Sequence, residues 1–136
     1  MSIDVFHFEA IACPDRLSIF RLKAFYAGIV IDDNISLQNE FLVGVLLRRT
    51  QHLIFVGPRS KEAEDAADWI IVDSEEEGAV TSSLGDGSSS QDVAELLVAR
   101  GFGVRGEGNF LYLFDQNRVE SNILALALGK LLQASE

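Results

Sequence analysis

The residues best suited to hold a small molecule stand in one short run, Gly57-Pro58-Arg59-Ser60-Lys61. The run follows an apolar stretch and precedes an Ala- and Glu-rich one, so it reads as the turn from a strand into a helix. Amides at a helix start, the Ser60 hydroxyl and the cations of Arg59 and Lys61 together suit a phosphate or carboxylate, which makes a phosphate- or nucleotide-binding site the chemistry to expect here. The spacing is not that of a P-loop, which fixes the interval from glycine to lysine. Glu62, Glu64 and Asp65 crowd the same helix start, where they use the positive end of its dipole and repel an anion. A second hydroxyl-rich run, Thr81-Ser82-Ser83 within residues 81–90, leads into another helix but carries no cation of its own. An anion held there would borrow Arg48, Arg49, Arg59 or Lys61 from elsewhere in the fold.

Groups for catalysis are few. His7, Cys13 and His52 are the soft or near-neutral titrating residues. A Cys–His nucleophile needs the two side chains in contact, and Cys13 beside Pro14 reads as a small buried hydrophobe. Two His and one Cys without short ligand spacing do not make a zinc site. Glu75-Glu76-Glu77 lacks the alternating ligands and central glycine of a calcium loop. The sequence therefore nominates no catalytic residue, no metal and no cofactor, and favours a non-enzymatic protein.

Charge is the sharpest signal. The 136-residue chain carries 21 Asp plus Glu against 11 Lys plus Arg, a formal net charge of −10. Eleven of those acids lie between Glu62 and Ala99, a segment with no Lys or Arg, so 21 − 11 leaves ten acids against eleven bases elsewhere. The body of the chain is near neutral and one segment is strongly acidic. Such a face keeps a protein soluble, and it also steers a basic partner. The reading favoured here is an acidic binding protein of the inhibitor, immunity or antitoxin kind. Its Glu62, Glu64, Asp65, Asp68, Glu75, Glu76 and Glu77 would meet a basic protein surface. Nucleic acid is an improbable partner at this charge.

The elements that must position these groups can be read from periodicity. Apolar runs at residues 3–8, 17–22 and 26–31 read as strands, the last stopping at the turn or cap cluster Asp32-Asp33-Asn34. From Ser36, Leu37, Phe41, Leu42, Val45 and Leu46 recur at helical spacing, with Arg48-Arg49 at the negative end of the dipole. His52–Val56 reads as a buried strand, residues 60–68 as a short helix, and Trp69–Val72 as a second strand, a crossover onto a parallel sheet. Residues 74–90 read as an exposed loop, Val93–Arg100 as a helix ended by Gly101, and 102–105 with 109–114 as a hairpin around Gly106-Glu107-Gly108. A closing helix runs from about Asn117 to Gln133. From Phe55 through Ser83, the order of strand, Ser60 helix start, Ala66-Ala67-Asp68, second strand and hydroxyl-rich turn resembles the later part of a phosphosugar-isomerase domain. The Gly-Ser phosphate loop of such a domain is not found upstream.

Together these give one α/β domain over residues 1–136, a mixed sheet of five to seven strands with about four helices packed on it. No apolar run approaches the roughly 20 residues of a membrane span, and no signal-peptide pattern opens the chain. The expected setting is the cytoplasm, without a membrane partner. The last helix is apolar on several faces, and Ser121, Ala125 and Gly129 form a row of small residues along it. That pattern suits close approach in a homodimer, or in an oligomeric scaffold subunit.

Overall fold

The computed structural model describes residues 6–12, 25–38, 40–74, 80–84, 90–99 and 108–134. Among these residues, five strands build one sheet: β1 (Phe6–Ala12), β2 (Gly28–Asp32), β3 (His52–Val56), β4 (Val80–Leu84) and β5 (Gly108–Phe114). Their spatial order is β1-β5-β2-β3-β4, and every pairing is parallel. Five helices cover the sheet: α1 (Asp33–Gln38), α2 (Glu40–Leu47), α3 (Ser60–Ser74), α4 (Ser90–Ala99) and α5 (Val119–Ala134).

The inner strands are apolar on both faces, as helices on both sides require. Ile29 and Ile31 of β2, Leu53 and Phe55 of β3, and Leu111 and Leu113 of β5 pack beneath Leu42, Val43 and Leu46 of α2 and Ala63 and Ala67 of α3. The alternate residues Val30, Ile54, Val56, Phe110 and Tyr112 meet Val93, Ala94 and Leu97 of α4 and Leu124, Ala127 and Leu128 of α5. From β2 the chain steps outward through β3 to β4, then returns beneath α4 to place β5 on the other side of β2. Connections leave β2 and β5 in opposite directions, so the crevice between their carboxyl ends is the topological switch point, where open parallel sheets hold ligands.

The α/β class is as expected, and four local readings are corrected. Trp69–Val72 is not a strand but the continuation of α3. Ala63, Ala67, Ile70 and Ile71 keep a helical interval and pack on the core, while Trp69 is 74% exposed. The strand that completes this crossover is β4, inside the stretch read as loop. Its hydroxyls suit a half-buried edge position. The hairpin ending at residue 114 is excluded because β5 is paired on both edges, to β1 and to β2. The helix expected from Ser36 starts three residues earlier, with α1 at Asp33, where Ser36 Oγ donates to the Asp33 carbonyl at 2.9 Å. The phosphosugar-isomerase order fails at the same places, since its second strand is helix and its hydroxyl turn is β4. The expected strand at 17–22, Cys13, the arm at 102–105 and Glu75, Glu76 and Glu77 lie outside the described residues. Among the described residues, no helix is long and apolar enough to cross a membrane.

Candidate functional site

Three strand ends meet at the switch point. Period-2 alternation puts Asp32 on the same face as Val30, under α5. Asp33, the first residue of α1, turns instead toward the loop after β3. Both acids are almost fully buried, at 1% exposure each. They answer to different partners.

Asp32 accepts three hydrogen bonds. Tyr112 Oη donates to Oδ1 at 2.5 Å, and Ser121 Oγ donates to Oδ2 at 2.5 Å. The Asp115 backbone N–H also donates to Oδ2, at 2.8 Å. Burial raises the Asp32 carboxyl above the usual aspartate range, against the opposing pull of Ser121, Tyr112, the Asp115 amide and the charge of Arg118. Burial, reinforced by the neighbouring Asp32, pushes the Tyr112 phenol far above its ordinary value, so Tyr112 remains a donor at any working pH.

Asp33 ties the loops together. Its Oδ1 accepts the Asn34 N–H at 2.7 Å and Arg118 Nη1 at 2.8 Å, and its Oδ2 accepts the Arg59 backbone N–H. Arg118 Nη1 also reaches Asn34 Oδ1 at 3.0 Å, and Asn34 Nδ2 donates to Asp115 Oδ2 at 2.7 Å. Burial works against the Arg118 charge, but the bond to Asp33 and the charges of Asp32 and Asp33 outweigh it and hold the guanidinium above its ordinary value. Gly57 closes the arrangement. Its φ is +122°, and a Cβ there would lie 2.5 Å from Asp33 Oδ1 and 2.6 Å from Cγ and Oδ2. Only glycine lets the β3 loop pass this close to the carboxylate.

Beside this network lies a cavity of about 310 Å³, lined by Asp32, Val56, Gly57, Pro58, Val93, Tyr112, Arg118, Glu120, Ser121 and Leu124. Its size is at the small end of ligand clefts, about 300–1,000 Å³. The lining combines apolar Val56, Pro58, Val93 and Leu124 with polar Tyr112, Ser121, Glu120 and Arg118. Asp32 takes the protons of both the Tyr112 and Ser121 hydroxyls, so the lone pairs of those oxygens are what remains to offer a ligand. Among the described residues, no group of three His, Cys, Asp or Glu side chains is placed to hold a metal ion.

The residues nominated from sequence are distributed differently. Gly57 and Pro58 reach the cavity, but the Arg59 guanidinium is paired with Glu62, and Lys61 Nζ lies 3.5 Å from Glu64 and 3.4 Å from Asp65. Ser60 is buried at the start of α3. Thr81 Oγ1 donates to Asp68 at 2.6 Å and to Glu64 at 3.3 Å, while Ser82 Oγ contacts His52 Nε2 at 2.9 Å. Thr81, Ser82 and Ser83 pair with Leu53, Ile54 and Phe55, so they lie along β4 and not at a helix start beside the Gly57 loop. Arg59 and Lys61 thus face acids of α3, while Thr81, Ser82 and Ser83 are placed along β4. Ser121, nominated for an oligomer contact, is buried against Asp32, whereas Ala125 and Gly129 are half-buried. Among the described residues, the large exposed apolar residues of α5 are Val119, Ile123 and Leu126. Asp32, Asp33, Tyr112 and Arg118 were not nominated. Their signal was an acidic pair directly after an apolar strand, and a second acid, Asp115, after another. No family model, no curated protein and no solved structure matches the chain.

Proposed function

We propose that this chain is a ligand-binding α/β domain whose cavity at the β2–β5 switch point takes a small, donor-rich molecule with an apolar face, such as a nucleoside or an amino sugar. The observation that carries this reading is the orientation imposed by Asp32. With both hydroxyl protons drawn to its carboxylate, Tyr112 and Ser121 present acceptors, and Glu120 adds a carboxylate at the same wall. A ligand bringing hydroxyl or amino hydrogens satisfies them, while its apolar side covers Val56, Pro58, Val93 and Leu124. A phosphate suits the wall less well. Arg118, the cation that lines it, already bonds Asp33, and Asp32 and Glu120 oppose a second anion.

The test is a thermal-shift screen that pairs each nucleoside and sugar with its phosphorylated form. A ligand at about 100 times its Kd stabilises the fold by about 2.7 kcal/mol, a rise of several degrees in Tm. The expected result is a rise with the unphosphorylated compounds that disappears in Glu120→Gln and in Leu124→Trp, which fills the cavity. A rise confined to the phosphorylated compounds would replace this reading with an anion site at Arg118.

A further inference from the structure

We infer that Arg118 is a specificity-determining residue of the β2–β5 cavity, selecting a 6-oxopurine nucleoside such as guanosine or inosine over adenosine; this rests on that cavity being the ligand site. The observation behind it is how little of the guanidinium the fold uses. Nη1 donates to Asp33 Oδ1 at 2.8 Å and to Asn34 Oδ1 at 3.0 Å, which spends both of its hydrogens. Among the described residues, no hydrogen bond or ion pair uses Nε or Nη2. Their N–H groups point the same way and form one complete bidentate fork. Neither nitrogen is sealed away, because among the described residues no buried side-chain nitrogen or oxygen lacks a partner. The Arg118 side chain is 25% exposed, and the cavity is the open space it lines.

The fork is held in place before any ligand arrives. Asp33 is tied by the N–H groups of Asn34 and Arg59, and Asn34 Nδ2 donates in turn to Asp115. A side chain anchored this way gives up little freedom on binding. Its charge is already answered by Asp33, and Asp32 and Glu120 line the same cavity. The fork therefore favours a pair of neutral acceptors over a phosphate or carboxylate. On a purine nucleoside that pair is O6 and N7 of a 6-oxopurine, the commonest base edge that Arg grips with both arms. Adenine carries an amino group where those bases carry O6, so it sets donor against donor and leaves one arm of the fork unpaired. A site built to bond a polar group rejects the analogue that lacks it. The ribose hydroxyls and the N1–H supply the donors that the lone pairs of Tyr112 and Ser121 accept.

Isothermal titration calorimetry of the full chain with guanosine, inosine, adenosine and 7-deazaguanosine tests this. Guanosine and inosine are expected to bind about ten- to a hundredfold more tightly than adenosine, the span of one bidentate base contact. In 7-deazaguanosine carbon replaces N7 and one arm of the fork is left empty, so binding should be weaker than for guanosine by about tenfold. Arg118→Lys keeps a charge beside Asp33 but has no fork, and should bring guanosine and adenosine within about threefold of each other. The comparison of ligands needs no variant, so it decides the matter whether or not Arg118→Lys folds. Equal binding of adenosine and guanosine, full-strength binding of 7-deazaguanosine, or a preference that survives Arg118→Lys would each overturn the role of Arg118 and leave the cavity as the ligand site. Binding of amino sugars without guanosine would do the same. Binding of neither nucleosides nor sugars would overturn the reading of the cavity itself, and the role of Arg118 with it.

Discussion

Replacing Gly57 with Ala tests whether the carboxyl-end loops are held as the site requires. Two costs add. At φ +122°, an L-residue pays about 1–3 kcal/mol of backbone strain. The new Cβ would also stand 2.5–2.6 Å from three atoms of the Asp33 carboxylate. That carboxylate cannot swing away freely, because it accepts from Asn34, Arg59 and Arg118 at once. Hydrogen bonds to a charged group are worth about 1.5–3 kcal/mol each, and loosening one of them brings the sum to about 3–5 kcal/mol. Against a total stability of about 5–15 kcal/mol this is severe. With a urea m-value of about 1–3 kcal/mol/M, the midpoint should fall by more than 1 M. Urea unfolding followed by far-ultraviolet circular dichroism measures it. The same substitution in an Asp33→Ala background separates the two costs, since only the strain remains once the carboxylate is gone. A Gly57→Ala loss under about 0.5 kcal/mol, or an equal loss in both backgrounds, would refute the argument.

Three further outcomes follow from the same geometry. Asp32→Asn keeps the shape but turns one acceptor oxygen into a donor. The fixed Asp115 N–H or a hydroxyl then loses its partner, at about 1–3 kcal/mol at neutral pH. Because burial raises the Asp32 carboxyl, the folded state binds the proton more tightly than the unfolded chain. Wild-type stability should therefore fall as pH rises from the ordinary aspartate range through the folded value, and this component should vanish in Asp32→Asn. Urea titrations from pH 4 to 8 read both effects, and a wild-type advantage that grows with pH would reverse the sign. Arg118→Ala strands the buried Asp33 carboxylate and should cost about 3–5 kcal/mol by chemical denaturation. Trp69→Ala should leave stability within about 0.5 kcal/mol by the same assay, since surface substitutions away from special contacts do little.

The centre of the sheet was legible because its signals are local. Ile29–Ile31 and Leu53–Val56 are short β-branched or aromatic runs, and α4 and α5 announce themselves by spacing and caps. Trp69–Val72 failed because four apolar residues fit a strand and a buried helical turn equally well. Only the packing of Ile70 and Ile71 on the core decides between them. Val80–Leu84 failed for the opposite reason. Thr and Ser at a sheet edge resemble a loop when pairing cannot be seen. The site was the least legible part. Asp32-Asp33-Asn34 has the composition of any turn, and its meaning depends on Tyr112 and Ser121, 80 and 89 positions away. The acidic segment was visible as charge. That its members quench Arg59 and Lys61 depends on α3 starting at Ser60, which gives the pairs their three- and four-residue spacing.

The strand order also dictates a sequence of events during folding. Among the described residues β1 pairs with β5, and Phe6 lies opposite Gly108, 108 − 6 = 102 positions later. By contrast, β2, β3 and β4 neighbour one another in chain order. β1 therefore docks on its described partner only after β5, about a hundred positions later in the sequence, has settled against β2. Closing so long a loop is entropically slow. During that wait β1 is an unpaired, partly apolar edge, the kind of surface that nascent chains lose to aggregation. Of the five described strands, β1 waits longest for its partner.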